Sequence, residues 1–297
     1  MSGFDAHWLA QREPFDLAAR SRALEERFSD ALRSTRSADT PLRLVDLGGG
    51  TAANFRALAP RLAGDQHWLL LDHDARLLAD APHRIAGWAL EQGWQAVAHD
   101  GQCEVTARGA RWTLATRQID LAAALETLDA TRFDGIVTTA FLDLVSQPWL
   151  ERFARWLVAA RRPLLATLTV DGVRRWQPEA LDDALIDEAF RRHQGGDKGF
   201  GESIGPGAAE ALAQCLRALQ CPVWTLRSDW HIGANDRAML ERMADEAGQV
   251  AREVLPADGA RIDAWRRLRG ARIDRGDASL VIGHLDLLAV PEPIAPR

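Results

Sequence analysis

The stretch "LRLVDLGGGTAANF", residues 42–55, decides the fold class of this chain. The apolar run "LRLVDL" has the length of a buried strand, and it ends in an acid followed by three glycines. The residues after the glycines begin a helical pattern. A strand, a glycine turn and a helix in this order place backbone N–H groups and a helix N-terminus at the carboxyl edge of a parallel sheet. Glycine lets a ligand approach the backbone closely at such an edge.

Outward from this turn, strand patterns and helix patterns alternate. "HWLLLDHD" (67–74), "FDGIVTTAFLDLV" (133–145) and "PLLATLTVDG" (163–172) are near-continuous apolar runs, with helical segments between them. Such runs are typical of strands that are covered on both faces, as in a parallel sheet. We therefore predict an α/β fold: a doubly wound, mostly parallel sheet with helices on both faces, an N-terminal helical cover and helical insertions after the later strands.

Composition excludes several classes of protein. The 297 residues carry a formal charge of -6, which disfavours a nucleic-acid binder, and the basic stretch 261–275 is interpreted as a solvated helix face. The three cysteines form no C-x-x-C pair and have no histidine at ligand spacing, so no metal site is predicted. No apolar run approaches the ~20 residues that cross a bilayer, and no signal peptide is recognised. We expect a cytoplasmic protein without a membrane partner.

The glycine turn allows two interpretations. Gly48, Gly50 and Ala53 satisfy the dinucleotide pattern G-x-G-x-x-A. Asp46, Gly48 and Gly50 also match the first motif of S-adenosylmethionine-dependent methyltransferases. Asp46 favours the second interpretation, because an acid at this position would face the pyrophosphate of a dinucleotide, whereas a cationic cofactor with an amino group tolerates it.

Two further strand ends carry acids. Asp72 ends the second strand, where an acid accepts hydrogen bonds from ribose hydroxyls in either class. Asp120, followed by Leu121, ends a later strand, and "DGIVTTAFLDLVS" (134–146) fills the place of a fourth motif. With these motifs the chain resembles the class I S-adenosylmethionine-dependent methyltransferases over residues 40–170 and in its last two strands.

The resemblance implies a role for each matched position. Asp46, Gly48, Gly49 and Gly50 would hold the methionine end of S-adenosyl-L-methionine, and Asp72 with the adjacent His73 would hold the ribose. Asp120 and Leu121 would bind the adenine, and Thr139 and Ala140 would line the sulfonium. Helical residues 235–270 depart from the family, whose members usually have a tight hairpin between the last two strands.

An N-terminal helix often covers the cofactor in this family. Arg12, Asp16 and Arg20 are spaced four apart, on one face of the helical segment 5–34, in which Pro14 is expected to interrupt or restart the helix. We expect Arg20 to pair with the methionine carboxylate; the alternative is a surface ladder of ion pairs.

The acceptor should also lie at the carboxyl edge of the sheet. We predict that the glycine-rich loop after residue 193 closes over it as a lid, since this loop holds Lys198, the only lysine of the chain. Glu202 replaces the lysine of a Walker A loop there, which excludes a phosphate cradle. The catalytic candidates are His193, Lys198, His231 and Asp143, as general bases or as charged groups around the acceptor.

The chain is thus predicted to be a methyltransferase for O- or N-methylation of a small molecule. A single domain is expected, with N-terminal helices (1–38), a cofactor-binding core (39–170), acceptor-side insertions or a lid (171–205 and 231–276) and remaining core (206–230 and 277–292). The alternatives are a Rossmann-type NAD(P)-dependent oxidoreductase and a non-catalytic interaction module. The sequence leaves a homodimer open.

Overall fold

A ten-stranded sheet forms the centre of the protein in a computed structural model that describes residues 6–34 and 40–291. The outermost parts of the predicted segments 1–38 and 277–292 lie outside these described residues. The strands are β1 Leu42–Leu47, β2 Gln66–Asp72, β3 Gln95–His99, β4 Gln102–Ala107, β5 Ala110–Gln118, β6 Gly135–Thr139, β7 Leu164–Gln177, β8 Val223–Arg227, β9 Trp230–Ile232 and β10 Ser279–Ala289.

The helices occupy both faces of this sheet. They are α1 Ala6–Ala19, α2 Arg22–Ser34, α3 Ala53–Leu58, α4 Ala75–Glu91, α5 Leu121–Ala124, α6 Gln147–Ala160, α7 Asp183–Gln194, α8 Ala208–Ala218, α9 Arg237–Val254 and α10 Gly259–Arg275. Apolar side chains of α2, α3 and α4 pack in one core, and those of α6 and α8 pack in a second core. No described helix is long and apolar enough to span a bilayer.

The strand order is β3-β4-β5-β2-β1-β6-β7-β10-β8, and β9 pairs with β10 outside this path. Strands β5, β2, β1, β6 and β7 are parallel, whereas β10 runs antiparallel between β7 and β8. The order reverses at β1, so the carboxyl ends of β1 and β6 flank the crevice in which open α/β sheets bind ligands. The predicted fold class is confirmed.

Two elements extend beyond their sequence-based limits. Strand β7 continues to Gln177, because β10 pairs with it as far as Ser279 and because positive φ angles at Leu168 (57°) and Gly172 (82°) accommodate shifts in register. Helix α1 continues through Pro14, which the sequence predicted to interrupt it. Pro14 removes one hydrogen-bond donor, but the tertiary contacts of α1 keep it helical.

Helices α9 and α10 form the helical segment predicted between the last strands. They pack on α7 and share a third apolar core that includes Trp176 and Trp265. Within the basic stretch 261–275, Arg269 is fully buried and donates to the carbonyl of Pro178 at 2.7 Å, whereas Arg261 and Arg266 pair with acids at the surface. The interpretation as a solvated face therefore fails at Arg269, which fastens α10 to the end of β7.

Candidate active site

The glycine turn after β1 is shaped by close packing and by one carboxylate. Gly48 and Gly50 have φ angles of 66° and 52°, and a Cβ on Gly48 would lie 2.6 Å from the ring of Phe141. Asp72 Oδ2 accepts a hydrogen bond from Gly50 N (2.9 Å), and Asp72 Oδ1 accepts one from Asp74 N (2.9 Å). Asp72 thereby fixes the turn as well as facing the crevice at the end of β2.

A buried polar chain connects the turn to the N-terminal helices. Asn54 donates through Nδ2 to Asp46 Oδ1 (2.9 Å) and accepts at Oδ1 from Arg20 Nη1 (2.8 Å). Arg20 also donates through Nε to Glu25 Oε1 (2.6 Å) and through Nη1 to Thr167 Oγ1 (3.0 Å). Arg20 is 5% exposed and Asp46 is 1% exposed, so both charges are held in a dry environment.

Two atoms of this hydrogen-bond network have no partner. Arg20 Nη2 and Asp46 Oδ2 are buried, and neither is satisfied among the described residues. A buried donor and a buried acceptor without partners are each destabilising by about 1–3 kcal/mol. The chemistry of the two groups is complementary to a zwitterion, since a guanidinium binds a carboxylate and an aspartate binds an ammonium group.

Burial dominates the titration of Asp46. Desolvation raises the pKa of Asp46 from 3.8 to about 7, against the lowering effects of the Asn54 hydrogen bond and the Arg20 charge; the charge of Asp72 adds to the increase. The carboxylate is therefore poised to become fully charged when a cation binds next to it.

Helix α1 lies over the turn. Glu13 Oε2 accepts from Arg56 Nη2 at 2.7 Å, and the Arg56 Nη1 group donates to the Thr51 carbonyl at 2.6 Å. The predicted pair of Arg12 and Asp16 is present (3.0 Å), but Arg20 pairs with Glu25 rather than extending a ladder. The ladder alternative is wrong in a further respect, because Asp16 and Arg20 are buried.

The corner between α1 and α2 is fastened to the last strand. Asp286, fully buried on β10, accepts from Ser21 N at 2.7 Å and from Leu168 N at 2.8 Å. This carboxylate holds Arg20, the residue before Ser21, at its place above β7.

The end of β6 lies beside Arg20. Ala140 has a φ angle of 48° and its N–H donates to the Thr167 carbonyl (2.9 Å), while Thr167 Oγ1 lies 3.1 Å from Thr139 Oγ1. Thr167 thus links the two predicted sulfonium-lining residues to the guanidinium of Arg20.

Asp120 lies at the opposite end of the crevice. Its exposed carboxylate caps α5 by accepting from Ala122 N (2.9 Å), and the neighbouring Leu121 is buried with its carbonyl bound to Trp149 Nε1 (2.7 Å). His73 has an exposed side chain whose Nδ1 lies 3.3 Å from Asp72 Oδ1. Beside Asp120 is an open groove of about 910 Å³, whose other wall is formed by residues 199–204.

The glycine-rich loop lies against this groove. Its Phe200 packs edge-to-face on Phe141 (5.5 Å) and on Trp149 (5.3 Å). Ser203 Oγ lies 3.0 Å from the Leu144 carbonyl. Among the described residues, Lys198 Nζ contacts the His193 carbonyl alone, at 3.5 Å. The loop therefore flanks the predicted adenine end, and the side chain of His193 is exposed.

Of the four catalytic candidates, Lys198 and His193 share a contact through the His193 carbonyl, and no hydrogen bond or ion pair among the described residues joins them to Asp143 or His231. His231 is exposed on β9, where the alternation of the strand turns Trp230 and Ile232 inward and His231 outward. Asp143 lies in a 3₁₀ turn (Leu142–Leu144) directly after Ala140, and burial raises its pKa from 3.8 to about 6. Asp143 is thus the candidate nearest in sequence to the end of β6.

Several residues at the site carried no recognised sequence signal. Asn54 stands within the quoted stretch but outside both glycine patterns, and Glu25, Thr167 and His284 come from distant segments. For Asn54 a signal existed, since a polar side chain in the first turn after the glycines faces the strand-end acid. The described residues contain no group of three or more potential metal ligands.

No family model matches the chain, and no curated protein matches its sequence. Solved structures with a related fold include a cyclopropane-fatty-acyl-phospholipid synthase-like protein from Lactobacillus casei ATCC 334 (15% identity, 94% of this chain and 98% of that chain, TM-score 0.45). A second is geranyl diphosphate C-methyltransferase from Streptomyces coelicolor A3(2), at 10% identity over 90% of this chain and 75% of that chain, with a TM-score of 0.42. A third is the cyclase SpnF, at 18% identity over 91% of this chain and 82% of that chain, with a TM-score of 0.38. At these identities and TM-scores the likeness carries neither activity nor substrate over to this chain. The strand order and the glycine turn give the chain a Rossmann-like α/β fold.

Proposed function

We propose that this protein is an S-adenosyl-L-methionine-dependent methyltransferase that acts on a small molecule. The observation that carries the proposal is the pair of buried, unsatisfied atoms Arg20 Nη2 and Asp46 Oδ2. Arg20 and Asp46 are both hydrogen-bonded to Asn54, and the two free atoms match the carboxylate and the ammonium group of an amino acid. A cofactor with a methionine end supplies both groups.

The remaining positions follow the length of the crevice. Asp72 would accept hydrogen bonds from the ribose, and Asp120 with Leu121 would bind the adenine beside the groove. Thr139 and Ala140, at the end of β6, would line the sulfonium. The bound cofactor supplies an electrophilic methyl group; the protein supplies position, exclusion of water and a place for the proton that the acceptor loses.

The dinucleotide alternative fits this site less well. A pyrophosphate at the glycine turn would meet Asp46, whose charge is already disfavoured by burial and would be further disfavoured by a neighbouring anion. The antiparallel strand β10 between β7 and β8 also differs from the order 3-2-1-4-5-6 of dinucleotide folds.

Other features support a small acceptor in a reducing compartment. The charge of -6 is unfavourable for a nucleic-acid substrate. Cys103, Cys215 and Cys221 are free thiols, which agrees with the expected cytoplasmic location. A single domain and a homodimer remain predictions, the second testable by sedimentation equilibrium.

Isothermal titration with S-adenosylhomocysteine and with 5′-methylthioadenosine tests the proposal. The second ligand lacks the amino and carboxylate groups, so it keeps the nucleoside contacts and loses those of Arg20 and Asp46. We expect the first ligand to bind at least 100-fold more tightly, since two charge-assisted hydrogen bonds contribute about 1.5–3 kcal/mol each. Binding of NAD(P) without binding of S-adenosylhomocysteine would refute the proposal, and binding of none of these ligands would favour a non-catalytic module.

A further inference from the structure

A carboxylate without a partner lies beside the predicted sulfonium position. Asp143 is three residues beyond Ala140, and its carboxylate has no hydrogen-bond or ion-pair partner among residues 6–34 and 40–291 apart from its own backbone N–H. The side chain is half-buried, and the positive group that faces it is Arg12 of α1. Asp143 therefore points into the space between the end of β6 and α1.

The charge of Arg12 is already engaged. Arg12 Nε donates to Asp16 Oδ2 (3.0 Å) and Nη2 donates to Asp16 Oδ1 (3.2 Å), and its guanidinium lies 5.0 Å from the centre of the Trp230 ring. Asp16 is in turn held by Trp230 Nε1 at 3.0 Å. The Arg12–Asp16 pair is nearly neutral as a unit, so it does not compensate Asp143.

The group on β10 nearest to Arg12 in its electrostatic contacts is uncharged. His284 is 2% exposed and its ring lies 5.1 Å from that of Trp230. Burial lowers the pKa of His284 to about 3, so the ring is neutral, and its Nδ1 lies 3.1 Å from the Ile282 carbonyl. One negative charge therefore remains uncompensated when Asp143 is charged, since the Arg12–Asp16 pair and His284 add no net charge.

We propose that the methyl acceptor is a small amine whose ammonium group is bound by Asp143; this inference rests on the proposed function. Asp143 also takes the proton that the ammonium group loses before methyl transfer. The proposal selects N-methylation from the O- or N-methylation that the sequence left open. It also makes Asp143 the catalytic residue among the four sequence-based candidates.

The chemistry of the carboxylate favours an amine over an alcohol. Alkyl ammonium groups have pKa values near that of lysine, about 10.4, whereas the pKa of bulk water, which resembles an alcohol, is about 15.7. A carboxylate whose pKa is raised to about 6 lies much closer to the first value than to the second. It can therefore hold the proton of an ammonium group transiently, and it attracts that cation before the reaction.

The step balances in atoms and charge. The N–H bond of the ammonium breaks and its proton moves to Asp143, leaving a neutral amine with a free electron pair. That pair forms the new N–C bond with the methyl carbon, and the electron pair of the broken S–C bond stays on sulfur. The products are a methylated ammonium, a neutral thioether and a protonated Asp143, which returns its proton to solvent.

The other basic side chains are less suited to this step. His193 and His231 are exposed, at the end of α7 and on the outer side of β9. Neither adjoins Ala140 in the fold as Asp143 does. Asp143→Asn removes the proton-accepting carboxylate with little change in volume, and Asp100→Asn, in the exposed turn between β3 and β4, makes the same change of charge elsewhere.

The experiment uses matched amine and alcohol probes of the full chain. They are 2-phenylethylamine with 2-phenylethanol, cyclohexylamine with cyclohexanol, and propylamine with propanol. Binding to the complex with S-adenosylhomocysteine is measured by titration calorimetry, and methylated product is measured by mass spectrometry with S-adenosylmethionine present. At least one amine is expected to bind and to be methylated, and its alcohol is not.

Asp143→Asn should weaken amine binding at least 10-fold and reduce turnover by 10²–10⁴, with S-adenosylhomocysteine affinity unchanged. Asp100→Asn should behave as the wild type, and Asp143→Glu should retain part of the amine affinity. Methylation of alcohols but not amines, amine affinity unaffected by Asp143→Asn, or no binding of any amine would each overturn the proposal. Failure of the wild type to bind S-adenosylhomocysteine would instead overturn the proposed function, so the two failures are distinguishable.

Discussion

Replacing Asp46 by Asn should make the protein more stable and a weaker binder of the cofactor. Asp46 is 1% exposed, and its Oδ2 atom has no partner. The neutral amide of Asn has nearly the same shape, and it can still accept the hydrogen bond from Asn54 Nδ2. It cannot supply the charge that an ammonium group needs. The substitution therefore separates the folding role of this position from its proposed binding role.

The size of the stability effect follows from the titration of Asp46. A pKa that is raised from 3.8 in the unfolded chain to about 7 in the folded chain corresponds to about 4 kcal/mol. The folded state binds the proton more tightly, so this group stabilises the protein fully below pH 3.8. That stabilisation is lost as pH rises and is absent above about pH 7. Asp46→Asn should escape the loss, because it stays neutral throughout.

The assay is urea unfolding followed by tryptophan fluorescence between pH 5 and pH 8. The advantage of Asp46→Asn over the wild type should grow by about 1.4 kcal/mol per pH unit up to pH 7 and should be constant above it. S-Adenosylhomocysteine affinity should fall 10- to 100-fold, through loss of a charge-assisted hydrogen bond of about 1.5–3 kcal/mol, while 5′-methylthioadenosine affinity should not change.

The control is Asp100→Asn, which removes the same charge from an exposed turn. It should shift neither the pH dependence of stability nor the affinity for either ligand. A stability difference between Asp46→Asn and the wild type that is independent of pH would contradict the burial argument. An equal loss of affinity for both ligands would contradict the assignment of Asp46 to the ammonium group.

Three further predictions concern the two ends of the crevice. Arg20→Lys keeps the positive charge but loses the planar set of guanidinium donors, so calorimetry should show at least a 10-fold lower affinity for S-adenosylhomocysteine and an unchanged affinity for 5′-methylthioadenosine. Equal losses of affinity for both ligands would count against the zwitterion site. Gly48→Ala places a Cβ 2.6 Å from an aromatic ring, so it should destabilise the protein by about 1–3 kcal/mol more than Gly93→Ala, which has a similar φ angle (75°) and open space, in denaturant unfolding. Phe200→Ala should weaken S-adenosylhomocysteine binding severalfold, because this ring forms part of the groove wall, whereas Lys198→Ala should change the affinity less than twofold. A larger effect of Lys198→Ala would show that the lysine is the important residue of the loop.

Local patterns were sufficient for the parts of the site that lie on single elements. The strand, the glycine turn and Asp46 follow from residues 42–55, because an apolar run, positive φ angles and a helix start are determined by neighbours in sequence. Asp72 and Asp120 were predictable in the same way, since Asp72 ends β2 and Asp120 follows two residues after the end of β5. The outward direction of His231 was also predictable from the period of a strand, and that signal was not used.

The contacts of the charged residues could not be predicted in this way. The spacing of Arg12, Asp16 and Arg20 suggested one ladder, but α1 ends at Ala19, so Arg20 leaves the helical face and pairs with Glu25. The glycine-rich loop was expected over the acceptor. Its role as a lid stays a prediction. Its position beside Asp120 could not be read from the sequence, because Phe200 is packed against the rings of two distant elements.

The sequence by itself therefore determined which segments form strands and which acids stand at or near their ends, since these depend on the pattern of neighbouring residues. Only the tertiary structure decided which atoms at that edge remain unsatisfied. Arg20 and Thr167, which share a hydrogen bond, are 147 residues apart, and Asp286 holds the corner that positions Arg20 from the last strand. The pairing of buried charges depends on distances between segments that lie far apart in the sequence, and no local pattern contains those distances.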